Sequence, residues 1–339
     1  MDSIIALNYC NNMSVNLSAL AKESQKAYQL IKPHIWHTPL IHSPKLSQIT
    51  GGEVWLKLEN VQLTGSFKIR GAAYKLSKLK QEGYKKRVIT ASTGNHGHAV
   101  AHMAQVLGMN ATIYLPANTP NSKLEKLAAY SAELVRIGTD GLEAEEAAKA
   151  AAEQEDLVYL SPYNDLDVMA GQGTLGVELT QDLKDIEAVL ISVGGGGLIS
   201  GIGAHMKTHS PNTQIIGCQP ANSDIMYQSV LANKIVDFPS KPTLSHGTAG
   251  GIEEDAITYA YCKSIVDEWL VIPEESIRES LIWMLQYQQL LLEGAAGLTV
   301  AACLAQEEAV KNKRVVLILC GSKISFQELQ SLFVEKEKK

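Results

Sequence analysis

The chain has 339 residues, 45% of them hydrophobic and 19% charged, which is enough for two ordinary domains or one large α/β unit with an insertion. Its net charge of −6 comes from an even mixture of signs and excludes the basic patches that nucleic acids and anionic membranes require. The same composition excludes a disordered chain, a disulfide scaffold and a collagen-like fibre.

In chain order, residues 1–12 lack the basic region and cleavage site of a secretory signal. Strands are then expected at 54–58, 87–91, 111–115, 133–137, 188–193, 214–219, 269–272 and 315–319, where short apolar, β-branched runs recur. Helices are expected between them at 66–80, 95–107, 121–130, 143–155, 169–183, 198–208, 274–291 and 295–305. Five- or six-residue strands alternating with longer helices predict βαβ units and mostly parallel sheets. The Ala/Glu-rich stretch 143–155 reads as an exposed helix, and the charged end 335–339 as a frayed tail. The most apolar run, 188–204, is glycine-rich and divides into a strand and a helix start, so it is no membrane span. Cys10, Cys218, Cys262, Cys303 and Cys320 are odd in number, scattered and free of CxxC spacing, which fits a soluble protein of a reducing, cytoplasmic compartment.

No Pro/Ser-rich linker divides the chain. Three closely spaced βα units in 75–164 predict a small domain, with 1–74 and 165–339 forming a discontinuous large one. Ligands of such sheets sit at the carboxyl ends of the strands, so the turns 64–70, 92–97, 194–197 and 320–323 should carry the chemistry.

The first of these turns places Lys68 behind Phe67 at the start of a helix, where a positive dipole end lowers an amine pKa and frees it as a nucleophile. The second, Ser92-Thr93-Gly94-Asn95-His96-Gly97, offers hydroxyls, an amide and helix-start N–H groups to a carboxylate. His98 and His102 lie four apart on the following helix, but no Glu follows the first and no third ligand is evident, so no metal site is expected. In the third, Gly194, Gly195, Gly196, Gly197 and Leu198 follow an apolar strand and open a helix, a backbone cup for a phosphate. The next strand ends at Gln219 rather than an acid, and no Gly-Lys-Ser/Thr follows the glycines, so the cup suits a small phosphate monoester better than a dinucleotide or triphosphate. One lysine, one phosphate cup and one carboxylate turn together describe pyridoxal phosphate chemistry on an amino acid.

SFKIRGA at 66–72, STGNHG at 92–97, AGQGT at 170–174 and GGGGL at 194–198 occur in order and spacing, and from about residue 38 to 324 the chain resembles the fold-type II pyridoxal-phosphate enzymes of the serine/threonine dehydratase and serine racemase branch. The resemblance implies two open, twisted, mostly parallel sheets flanked by helices, with pyridoxal 5'-phosphate between a large and a small domain. It implies that Lys68 holds the cofactor aldehyde, Phe67 packs on the ring, Asn95 bonds the ring hydroxyl, the glycines and Leu198 bind the phosphate, and Cys320 faces the ring nitrogen. Ser92, Thr93, Asn95 and His96 would hold the substrate carboxylate. A thiol at Cys320 would not protonate the ring as an Asp does, which favours loss of a β-hydroxyl over a long-lived carbanion. The implied activity is α,β-elimination on a hydroxy-amino acid such as L-threonine or L-serine, in a homodimer with no regulatory domain.

Three departures from the family pattern bear on that expectation. Gly321-Ser322-Lys323 replaces the usual Gly-Gly-Asn. Gln219 and Ile225 stand where the family's cation site has acids, so no divalent cation is expected. The segment 245–251, SHGTAGG, replaces the usual Asp-Gly loop and resembles relatives acting in hydroxyectoine breakdown, which leaves a specialised hydroxy-amino acid open as substrate. A serine-type racemase also stays open, because Thr93 would present a hydroxyl on the face opposite Lys68, where racemases carry Ser and many dehydratases Ala. A cofactor-binding protein without catalysis is the third reading.

Overall fold

The structure is a computed structural model and describes residues 15–305 and 307–334. The readings of 1–12, of Cys10 and of the tail 335–339 fall outside them. The chain begins with α1 (Leu17–Ile31), capped by the Asn16 side chain, which accepts a hydrogen bond from the Ala19 N–H. β1 (Leu40–His42), α2 (Pro44–Thr50) and β2 (Glu53–Lys57) follow. α3 (Lys68–Gln81), β3 (Val88–Ala91), α4 (Asn95–Leu107), β4 (Ala111–Leu115), α5 (Asn121–Ala128), β5 (Glu133–Arg136), α6 (Gly141–Gln154) and β6 (Val158–Tyr159) alternate strictly. Next come α7 (Leu166–Asp182), β7 (Ala188–Ser192), α8 (Gly197–His209), β8 (Gln214–Pro220), α9 (Ile225–Ala232) and α10 (Ile257–Ile265). The chain closes with β9 (Glu268–Ile272), α11 (Glu274–Gln288), α12 (Gly294–Leu304), β10 (Arg314–Ile318) and α13 (Phe326–Leu332).

These strands form two sheets. The larger runs β1-β2-β10-β7-β8-β9 and is parallel except for β1, which pairs antiparallel with β2 at the edge. The smaller runs β5-β4-β3-β6 and is parallel throughout. Parallel strands covered on both faces read as continuous apolar runs, and all of β7 is buried. In the small sheet, Ile113 and Leu115 pack with Ala101 and Leu127 on one side, while Ile89 packs with Ala148 and Ala152 on the other. Ala144, Ala148 and Ala152, at four-residue spacing, are the buried stripe of α6, so the helix expected to be exposed turns one narrow face inward.

Each of the eight expected strands and eight expected helices corresponds to an observed element. The sequence reading missed β1, β6, α1, α2, α9, α10 and α13. β1 has three residues and β6 two, too few for a periodic pattern. α2 carries local signals all the same: a Ser43 cap, Pro44 in the first turn and Gly51 left-handed at its end.

Two contacts fix the lysine turn to the large sheet. Ser66 bridges Gly321, and the Phe67 N–H donates to the Cys320 carbonyl at 3.1 Å, so the start of α3 is hydrogen-bonded to the carboxyl end of β10. Behind it, Arg70 is fully buried and forked between Glu59 and Glu178 at 2.7–3.0 Å. Lys57, also fully buried, pairs with the same Glu178 at 2.6 Å. The AGQGT motif of α7 belongs to this support. A Cβ on Gly171 would lie 2.6 Å from the Arg70 carbonyl and the Gly71 Cα, so only glycine lets α7 approach α3 this closely. Gln172 Oε1 accepts from the Gly71 N–H, and Thr174 Oγ1 from Arg70.

Candidate active site

Lys68 is the first residue of α3, and its Nζ donates to the Pro162 carbonyl at 2.9 Å. The ammonium lies 5.2 Å from the centroid of the Phe67 ring. Burial pushes the Lys68 pKa down to about 8, opposed by the nearby Cys320 and Glu293. Desolvation is thus the largest cause here, whereas the sequence reading rested on the helix dipole. A cavity of about 1320 Å³ contains Lys68 in its wall, and Phe67, Ser92–His96, Gly194–Leu198 and Cys320 line the same cavity. The four turns expected to carry chemistry therefore meet in one space, although the first and last are some 250 residues apart in sequence.

The 92–97 turn leads from β3 into α4. The Ser92 hydroxyl accepts from the Gly94 N–H at 3.1 Å, and the first N–H groups of α4 have no partner within the helix. His96 Nε2 donates to the Leu160 carbonyl, and burial holds the ring neutral, with its pKa down to about 3. His98 Nδ1 donates to the Gly94 carbonyl, and the His98 and His102 rings both meet the Tyr130 ring edge-on. Among the described residues no group of three or more His, Cys, Asp or Glu side chains is placed to hold a metal ion. Gln219 is committed instead to the Val193 carbonyl and the Tyr227 N–H.

The glycine turn runs from β7 into α8. A Cβ on Gly195 would lie 2.4 Å from the Tyr163 ring, so only glycine lets that ring pack this closely on the turn. The Tyr163 hydroxyl accepts from the Glu253 N–H at 3.0 Å and ties the 243–256 segment over this turn. Cys320 is 3% exposed, and burial pushes its thiol well above the ordinary range, so it stays protonated.

The sequence reading missed Glu293, Pro162 and Tyr163. Glu293 precedes α12 and is 8% exposed. It accepts from Asn95 Nδ2 at 2.9 Å through both oxygens and from the Lys323 N–H at 3.0 Å. Burial raises its carboxyl pKa despite these bonds. A lone acid inside the apolar run Leu290-Leu-Leu-Glu-Gly-Ala-Ala296 was the available signal. Asn95 Oδ1 remains buried without a partner, an acceptor free for a hydroxyl.

These features fit pyridoxal phosphate. A desolvated amine would suit an aldehyde, a glycine-lined helix start a phosphate, a free amide oxygen a ring hydroxyl, and a neutral thiol a pyridine nitrogen.

Comparison with known proteins agrees. The family model for pyridoxal-phosphate dependent enzymes matches residues 31–321. L-threonine ammonia-lyase of Thermotoga maritima is 39% identical over 303 residues, covering 89% of this chain and 75% of that one. The processed threonine deaminase isoform 2 of Solanum lycopersicum superposes with a TM-score of 0.87 at 32% identity, covering 94% and 92% of the two chains. Maize serine racemase superposes with a TM-score of 0.86 at 28% identity, covering 92% and 96%.

Proposed function

The chain belongs to the pyridoxal-phosphate-dependent enzyme family, and on that premise we propose that it is a dehydratase, an ammonia-lyase that eliminates the β-hydroxyl of an amino acid such as L-threonine or L-serine to give a 2-oxo acid and ammonia. The observation that carries the reading is Lys68, a buried amine with a pKa near 8, in the same cavity as the glycine turn and the 92–97 turn.

Lys68 would hold the cofactor aldehyde, Gly194–Leu198 its phosphate, Asn95 its hydroxyl and Cys320 its ring nitrogen, with Phe67 packed beside the ring. When bound, the cofactor supplies an electron sink conjugated to the substrate Cα. The 92–97 turn, through the Ser92 and Thr93 hydroxyls and the helix-start N–H groups of Asn95 and His96, would bind the substrate carboxylate and orient the Cα–H bond toward Lys68; the Ser92 N–H itself is spent on the Tyr114 carbonyl. With the substrate amine in its place at the aldehyde, the released Lys68 Nζ, in its neutral form, would take the Cα proton and return one to the departing hydroxyl. Cys320 stays a neutral thiol and would offer the ring nitrogen a hydrogen bond without a full charge, which would favour rapid loss of the β-substituent. Tyr163, and Thr248 of the 243–256 segment, pack against the glycine turn.

A second reading, a serine-type racemase or a dehydratase with racemase side activity, draws on Thr93, which lines the cavity, and on the likeness to maize serine racemase. We also take the chain to be a cytoplasmic homodimer, with 75–164 as the small domain around the four-stranded sheet and 1–74 with 165–339 as the large one. The buried free thiols Cys218, Cys262, Cys303 and Cys320 support the reducing compartment. Among the described residues no helix is long and apolar enough to cross a membrane.

The test is incubation of the holoenzyme with a panel of β-hydroxy amino acids, scoring 2-oxo acid, ammonia and chiral inversion together. Release of equal 2-oxo acid and ammonia is expected. Inversion without release would replace the dehydratase with the racemase.

A further inference from the structure

The turn after β10 brings Lys323 to the same cavity. Its N–H donates to Glu293 at 3.0 Å, and Glu293 in turn holds Asn95, so the residue is fixed one carboxylate away from the 92–97 turn. The Lys323 side chain runs past Gly65, and its Nζ is buried without a hydrogen-bond partner. The fully buried Lys57 differs, lying between Glu178 and Asp182, as does the partly buried Lys75 between Asp165 and Asp167, while Lys68 has the Pro162 carbonyl. Burial lowers the Lys323 pKa to about 7; Glu293 opposes the fall and Lys126 adds to it. Lys126 and Lys123 line the same cavity and extend its positive side, although Glu328 offsets Lys123.

A desolvated, unpaired cation lowers stability, and a buried lysine kept for the fold would carry a partner. At a cavity wall, such a group is matched to an anion that arrives with the ligand. The substrate's α-carboxylate is already allotted to the 92–97 turn, so the anion is a further one. We propose that Lys323 is a specificity-determining residue that pairs with a second carboxylate on the substrate, making hydroxy-amino dicarboxylic acids the preferred substrate class. This rests on the elimination reading above.

The experiment compares the holoenzyme with K323Q and K323R. Turnover of 3-hydroxyaspartate and 3-hydroxyglutamate is measured against L-threonine and L-serine. Binding of L-aspartate is measured calorimetrically against L-alanine, since neither carries a leaving hydroxyl. The wild type should prefer the dicarboxylic member of each comparison at least tenfold in kcat/KM and in Kd. K323Q should lose most of that preference, and K323R should keep part of it. K323Q should melt no lower than wild type, because the replaced ammonium has no partner. Equal affinity for aspartate and alanine in the wild type, or an unchanged preference in K323Q, overturns the proposal. If inorganic phosphate binding depends on Lys323 while substrate preference does not, the lysine serves a free anion and the proposal also falls. Turnover of threonine or serine without a dicarboxylate preference sinks this inference alone. An aspartate preference without any elimination sinks the dehydratase reading and leaves the subsite standing.

Discussion

At Lys68 two facts compete, the cost of burying a charge and the pull of Cys320 and Glu293, and burial wins. An ordinary lysine with a pKa of about 10.4 is under about 1% neutral at pH 8, whereas Lys68 is about half neutral there. Reductive methylation of the cofactor-free protein, followed by peptide mapping, should therefore show Lys68 reacting half-maximally near pH 8, with labelling rising as pH rises and the proton is lost. A midpoint above pH 10 would show that the amine is not desolvated. On the proposed reading, Thr93 would set the choice between the two reactions. Inversion needs proton donors on both faces of Cα, while elimination needs only the Lys68 face. Thr93→Ala should abolish racemisation yet keep elimination within about tenfold, about 1.4 kcal/mol of barrier, because the N–H groups of the carboxylate turn remain. Loss of elimination with inversion spared would reverse the facial assignment.

Among the elements, α3 carries Lys68, the proposed nucleophile, and is held from behind by buried charge. Removing Arg70 leaves Glu59 and Glu178 facing each other without their shared partner. Arg70→Ala should cost about 3–5 kcal/mol in denaturant unfolding, and a loss below about 1 kcal/mol would show that the network does not support the helix. At the carboxyl end of β8, the Gln219 amide is used up by Val193 and Tyr227. Activity should accordingly change less than about twofold on adding magnesium or a chelator; a several-fold activation reversed by the chelator would place a cation beside Asp224 after all. The elements that were legible in the sequence are those with a long enough periodic signal. β7 is apolar throughout because both its faces are covered, and α4 begins at a turn whose residues cannot extend a strand. β6 was not legible, since two residues carry no period, and α9 (IMYQSVLA) was not, since it lacks the one-sided apolar pattern of the equally long α5.

For the molecule as a whole, the site forms where two sheets, read separately from the sequence, present their carboxyl ends to one cavity. Motifs reveal which turns carry chemistry, because glycine runs and helix starts have local physical reasons. They do not reveal partners that meet only in the folded chain. Glu293 bonds Asn95 across 198 positions, and nothing within either segment announces the other. The AGQGT motif shows the converse, since its residues line up with the site in sequence but serve the packing of α7 on α3. The central claim is that Lys68, alone among the lysines, holds the cofactor in this cavity. Borohydride reduction of the holoenzyme followed by peptide mapping tests it most directly. The account predicts pyridoxyl label on the peptide containing Lys68, and loss of label, visible absorbance and turnover in Lys68→Ala; label on any other lysine, or turnover that survives in Lys68→Ala, would contradict it.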